Sequence, residues 1–426
     1  MRKDAIILMK KKDNDRHLKV EEMDMFDLDR FIYKEVVKRD GSMFLCDIES
    51  NKEELTRKIE GKKVLVIGGA GSIGSSYIRA ILPFRPASLV VVDINENSLA
   101  ELTRDLRSTK GMYVPEDYVT YPIDFSSAVF RKMFVHRNGF DIVANFSAHK
   151  HVRSEKDIFS VEALIRNNIL NARKLLELLA DYPPEEYFCV STDKAANPVN
   201  IMGASKRIME DVIFSYSDRF PIKTARFANV AFSNGSLPQG FLARIDKLQP
   251  LSAPSDIKRY FVSPEESGQI CMLSCMLGNN REIFFPKLED SQTARFDDIA
   301  RALLKAKGYN VLECSSDEEA ITKAQDLRSS SLDYPVHFSI SDTSGEKPYE
   351  EFYTESEAID ESRFSSLGVI VDKDIPDRDK IDKLFEELEN VFENENVTKE
   401  DVVKILKNYL PNFEHIETGK SLDSKM

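Results

Sequence analysis

The sequence predicts an α/β fold, a doubly wound parallel sheet with a smaller C-terminal lobe and helical extensions at both ends. Two observations carry this. From Lys63 onward, strand-length apolar runs alternate with helix-length amphipathic stretches, the pattern of a parallel sheet with right-handed crossovers. Beyond Asn229 the alternation stops, and Gly235, Pro238, Pro250 and Pro254 break the chain into short pieces.

Residues 1–60 are charge-rich, with predicted helices over 20–38 and 51–59. They read as an appended helical segment, with a solvated tail as the default expectation. Residues 61–230 supply predicted strands over 64–67, 88–92, 119–123, 141–146, 187–190 and 224–227. Helices are expected between them, the longest over 160–179 and 204–216. Residues 231–375 form the smaller lobe, with helices over 265–277, 296–307 and 318–327 and a serine-rich hinge at 329–331. Residues 376–426 are strongly charged and mostly helical, which reads as a solvated appendage.

With 426 residues and a formal net charge of -13, the chain is long enough for a sizeable core and too acidic for unspecific affinity to nucleic acid or anionic lipid. No stretch reaches the roughly 20 apolar residues that span a bilayer, so a cytoplasmic protein without membrane insertion is expected. The five cysteines, Cys46, Cys189, Cys271, Cys275 and Cys314, form no CxxC pair and read as buried free thiols. No metal site is expected.

The first strand runs into Gly68-Gly69-Ala70-Gly71-Ser72-Ile73-Gly74, which opens a helix. Glycines at such a turn let the backbone approach a pyrophosphate, whose charge meets the helix N-terminal N–H groups. A second strand ends in Asp93, 19 residues after Gly74, placed to accept from ribose hydroxyls and to repel a 2'-phosphate. This context points to a Rossmann-type domain binding NAD rather than NADP. Asp124, after the third strand, is a candidate contact to the adenine.

Another strand delivers Ser191-Thr192-Asp193-Lys194 to the carboxyl edge of the sheet, where open α/β folds bind ligands. Met202 and Lys206 then lie one helical turn apart, a spacing that puts both on one helix face.

Residues 191–207, STDKAANPVNIMGASKR, resemble the signature of the UDP-N-acetylglucosamine 4,6-dehydratases, the polysaccharide-biosynthesis branch of the extended short-chain dehydrogenases, in which Met replaces the usual Tyr. The likeness extends through Ala148-His149-Lys150-His151-Val152, residues 226–230, Lys258-Arg259-Tyr260-Phe261 and Ser344-Gly345-Glu346-Lys347, and so covers most of residues 62–352. It implies a redox-neutral cycle: oxidation at sugar C4, removal of the C5 proton, loss of the C6 hydroxyl and hydride return to C6. In that cycle Lys194 would be the C5 base and Asp193 the acid, each with its pKa drawn toward neutrality. Thr192 would bind the 4-oxygen and Lys206 the nicotinamide ribose. Met202 cannot carry a proton, so a water or Asp193 would deprotonate the 4-hydroxyl.

The resemblance further assigns Arg259 to the diphosphate, Asn229 to the diphosphate or the sugar, Glu346 and Lys347 to the uridine end, and Lys150 and His151 to the sugar pocket. A homodimer or larger homo-oligomer, paired through the helices over 160–179 and 204–216, is expected on the same ground. Two rival readings are an epimerase of the same fold and a non-catalytic NAD-binding protein. The nucleotide, UDP or GDP, the C5 stereochemistry and the downstream glycan stay open.

Overall fold

The computed structural model describes residues 26–150, 155–341 and 350–416. The early strands are β1 (Lys63–Ile67), β2 (Ser88–Asp93), β3 (Asp117–Pro122), β4 (Ile142–Asn145), β5 (Glu186–Val190) and β6 (Ile222–Ala225). They are followed by β7 (Asn229–Val230), β8 (Leu251–Pro254), β9 (Lys258–Val262), β10 (Glu282–Pro286) and β11 (Thr293–Arg295). The last are β12 (Asn310–Cys314), β13 (Asp333–Ser339), β14 (Ile359–Asp360) and β15 (Leu367–Ile370).

One sheet has the order β14-β15-β10-β6-β5-β4-β1-β2-β3. Every pairing from β3 through β10 is parallel, and β15 and β14 close the far edge antiparallel. This is the doubly wound arrangement expected from the alternation, and later segments of the chain extend it. Its strands are β-branched runs such as Lys-Val-Leu-Val-Ile because both faces are covered.

Period-two alternation sorts the strand residues between two apolar clusters. Leu65, Ile67, Val90, Val92 and Val143 face the helices Ile158–Ile165, Asn171–Asp181 and Ile201–Phe214. Val64, Val66, Leu89, Val91 and Ala144 face the helices Ser72–Ile81, Glu96–Ser108 and Pro264–Leu277. A third cluster builds the smaller lobe, around the sheets β11-β9-β7 and β12-β13-β8.

Two expectations from composition are corrected. The described part of the N-terminal extension is no solvated tail. Phe31, Ile32, Val36 and Val37 join the core of the smaller lobe, while Phe44, Leu55 and Ile59 pack with the Pro264–Leu277 helix. Arg39 pairs with the fully buried Glu266 at 2.7 Å, and Asp47 accepts from the backbone N–H groups of Ser365 and Ser366.

Nor is the described part of the C-terminal extension a solvated appendage. Its helices Arg378–Phe392 and Lys399–Tyr409 bury Ile381, Leu384, Phe385, Leu388, Val402 and Leu406 in the first cluster. An apolar stripe at helical spacing is hidden there within a charged composition.

Among the described residues no helix is long and apolar enough to cross a membrane. Cys189, Cys271, Cys275 and Cys314 are buried free thiols as expected, whereas Cys46 is exposed.

Candidate functional site

The carboxyl ends of β1, β2, β4, β5 and β6 lie along one edge of the sheet, and strand order reverses between β1 and β4. A groove of about 420 Å³ opens there. Gly68, Gly71, Ser72, Ile73, Gly74, Asp93, Asp124, His149 and Lys150 line it.

Gly68 adopts φ +69°, and a Cβ there would stand 2.7 Å from the backbone nitrogen of Ser147. Only glycine lets β1 turn so close to the end of β4. The Asp93 carboxylate accepts from the backbone N–H groups of Ala70 (3.1 Å) and Asn95 (2.9 Å), which fixes it at the mouth of the turn. Asp124 accepts from the N–H of Ser126 at 2.7 Å. Arg166, Asn167 and Asn171, from a helix containing one π-helical turn (Arg166–Leu170), also line the groove. Sequence reasoning missed these three, since π-turns carry no periodic signal and recur at functional sites.

Beneath the groove Asn168 ties the site together. Its side chain accepts from the N–H of His149 and donates to the carbonyl of His149 and to Ser205, all within 3.0 Å. Burial draws the pKa values of His149 and Lys150 below their ordinary values.

Two of the expected site residues stand apart from the groove lining. Lys206 does not line the groove. Its ammonium is buried and donates to the carbonyl of Val190 at 2.7 Å, just before the Ser191-Thr192-Asp193-Lys194 segment. Met202 is 3 % exposed and packs in the first apolar cluster, while its backbone N–H donates to the Glu155 carboxylate.

Beyond β5, Thr192 donates to Asp193 at 2.6 Å, and the Lys194 ammonium donates to both Asp193 oxygens at 3.1 Å. Asp193 is 4 % exposed. Gly203 presses against this turn, since a Cβ there would lie 2.6 Å from the Lys194 carbonyl. Burial works to lower the Lys194 pKa, but the carboxylates of Asp193 and Glu350 outweigh it and hold the ammonium above its ordinary value. That is opposite to the shift expected of a free base.

Arg259 on β9 is buried, with its Nε 3.6 Å from Glu350 Oε1. Asn229 donates to the same oxygen at 2.6 Å, and the N–H of Tyr260 donates to Oε2 at 2.9 Å. Burial and the neighbouring Asp193 push the Glu350 carboxyl up to about 7, against the pull of Lys194 and Arg259. The structure thus brings Asp193, Lys194, Asn229 and Arg259 together around Glu350, which the sequence reading did not single out. Expected contacts His151, Glu346 and Lys347 lie outside the described residues.

A family model described as polysaccharide biosynthesis protein matches residues 64–372. The chain belongs to that family. A relative from Bacillus subtilis, the probable polysaccharide biosynthesis protein EpsC, is 28% identical over 348 residues, covering 80% of this chain and 53% of that one. The chain therefore spans about half the length of that relative.

A Campylobacter jejuni UDP-N-acetylglucosamine 4,6-dehydratase (inverting) is 24% identical over 269 residues, 61% of this chain and 76% of that one. Among solved structures, Pen from Bacillus thuringiensis superposes with a TM-score of 0.59 at 20% identity, covering 73% of this chain and 88% of that chain. That likeness shows the fold. Together the match and the topology place this family member in the polysaccharide branch of the extended short-chain dehydrogenases.

Proposed function

We propose that this family member is an NAD-dependent nucleotide-sugar 4,6-dehydratase, with UDP-N-acetylglucosamine as its substrate. The observation that carries the reading is the buried Asp193, hydrogen-bonded to Lys194 and Thr192 at the end of a strand neighbouring the glycine-turn groove. Support also comes from the groove itself, where Gly68 lets β1 turn tightly against the end of β4 before the Ser72–Ile81 helix begins, and from the dehydratase relative.

Gly68, Gly71, Ser72, Ile73 and Gly74 would hold the cofactor pyrophosphate and Asp93 the ribose. When bound, NAD supplies a hydride acceptor at C4 and a hydride donor at C6. Lys206 acts from below, fixing the Val190 carbonyl and so the turn that bears the acid and base.

The resting ion pair and the working acid–base pair differ by one internal proton. Moving a proton from the Lys194 ammonium to the Asp193 carboxylate leaves a neutral amine and a carboxylic acid. The amine takes the C5 proton of the 4-keto sugar while the acid protonates the departing C6 hydroxyl. A C5=C6 double bond and water form, and the ion pair is restored. The raised Lys194 pKa is thus compatible with its role as base, because Asp193 holds the exchanged proton.

Incubation of the full chain with NAD and UDP-N-acetylglucosamine, followed by mass spectrometry, tests the reading. A product lighter by one water supports it. An isomer of unchanged mass would establish an epimerase instead. Bound NAD with no turnover of any nucleotide sugar would establish a binding protein.

A further inference from the structure

Glu350 occupies a cradle of donors, two of which, Asn229 and Arg259, the family resemblance gives to substrate. Asn229 Nδ2 and the Tyr260 N–H each donate to one of its carboxylate oxygens, and the Arg259 guanidinium stands beside the first. An amide, a backbone N–H and a guanidinium converging on two oxygens form, by their chemistry, an oxyanion site. Here an internal carboxylate fills it. The Glu350 side chain is 4 % exposed, so its neighbours rather than water stabilise its charge.

The groups facing it come from several elements. Asp193 and Lys194 approach from the end of β5 and Arg259 from β9. The Tyr260 phenol, hydrogen-bonded to Asp290, adds a further acidic neighbour.

We propose that Glu350 is an internal stand-in for the substrate pyrophosphate, displaced from Asn229 and Arg259 when that anion binds and taking up one proton from solvent as it leaves. The proposal rests on the proposed nucleotide-sugar substrate and on the assignment of Arg259 to its diphosphate. The proton balance is simple: one carboxylate plus one proton gives one carboxyl, and no other bond changes. Two oxyanions cannot share a single guanidinium in a desolvated pocket without cost, and protonation of Glu350 removes that cost. Its carboxyl stands at about 7 with Arg259 alongside, and loss of that cation raises it further. Binding therefore strengthens toward acid pH, and above neutrality Glu350 competes with the substrate.

UDP-xylose is a suitable probe: its pyrophosphate diester has no group titrating near neutrality, and it lacks the C6 from which water would leave. Calorimetric titration of the NAD-loaded full chain at neutral pH, in MOPS and in Tris, whose ionisation enthalpies differ, reads proton uptake from the difference in enthalpy. The expected result is uptake of about half a proton at about pH 7, growing toward one proton about a pH unit higher, with Kd rising toward about tenfold per pH unit above about pH 7. Glu350→Gln abolishes the uptake and flattens the pH dependence, and its melting curve checks that it folds. The pH series on the native protein tests the proposal without any variant.

Binding of UDP-xylose with no uptake and a flat pH profile would overturn this proposal while leaving the dehydratase reading intact. Unchanged uptake in a folded Glu350→Gln protein would also overturn it. Failure of both UDP-xylose and UDP-N-acetylglucosamine to bind would overturn both proposals.

Discussion

Lys194 and Asp193 divide one proton between them, so removing either group should abolish the elimination without disturbing the groove. Lys194→Met and Asp193→Asn are each expected to lower kcat by roughly 10²–10⁴-fold. NAD binding, read by calorimetry, should be retained. A residual kcat within a few-fold of the native value would contradict the assignment.

Glu350 gives a second expectation at this scale. Its carboxyl is raised from 4.5 to about 7 in the folded protein, so between those values the native state binds more protons than the unfolded state. Stability attributable to this group is present at low pH and is lost as pH rises to about 7. Glu350→Gln removes that slope. Relative to the native protein, its melting temperature should rise between about pH 5 and about pH 8, by the equivalent of roughly 1–3 kcal/mol. Parallel stability curves would exclude the burial penalty. Asp193, Lys194, Asn229 and Arg259 were legible in the sequence because each sits in or beside a short motif at a strand. Glu350 was not, because a carboxylate that returns from far along the chain to bridge two of them leaves no local pattern.

Single glycines decide how the elements meet. Gly203 lets the Ile201–Phe214 helix start against the Lys194 carbonyl. Gly203→Ala should push that turn outward and lower kcat while leaving NAD affinity near native. A kcat equal to native would show that the contact does not position Lys194.

The helix and strand alternation from β1 to β6 was readable because buried parallel strands and amphipathic crossovers have distinct periods. The smaller lobe was harder to read. β12 was missed between two expected helices and β13 beyond the serine-rich hinge, since four of the five β12 residues are exposed or only partly buried and Pro335 interrupts the apolar pattern of β13. The π-helical turn at Arg166–Leu170 likewise lies inside what the periodicity presents as one uninterrupted helix.

Across the whole molecule, the described parts of the terminal segments belong to the core. The C-terminal helical pair lies on the helices that the family resemblance assigns to subunit pairing. Arg173 pairs with Asp382 at 2.6 Å and stacks over Phe385, Arg166 lies over Phe392, and Arg378 donates to the Ser215 carbonyl. Part of that face is therefore covered from within the chain.

Leu388 is fully buried at this junction. Leu388→Ala should cost roughly 2–5 kcal/mol and appear as a lower midpoint in denaturant. A midpoint equal to native would mean that the helical pair is not part of the folding unit. The charged composition of residues 376–426 hid this packing, because charges on the outer faces of both helices outnumber the apolar stripe beneath them.

The most direct test of the dehydratase assignment is proton NMR of UDP-N-acetylglucosamine turned over by the NAD-loaded protein in deuterated water. The account predicts a new C6 methyl signal, deuterium at C5 and a 4-keto or hydrated carbon, with the C5 configuration read from the same spectrum. A sugar that keeps its C6 hydroxyl and its C5 proton would contradict the roles given to Asp193 and Lys194.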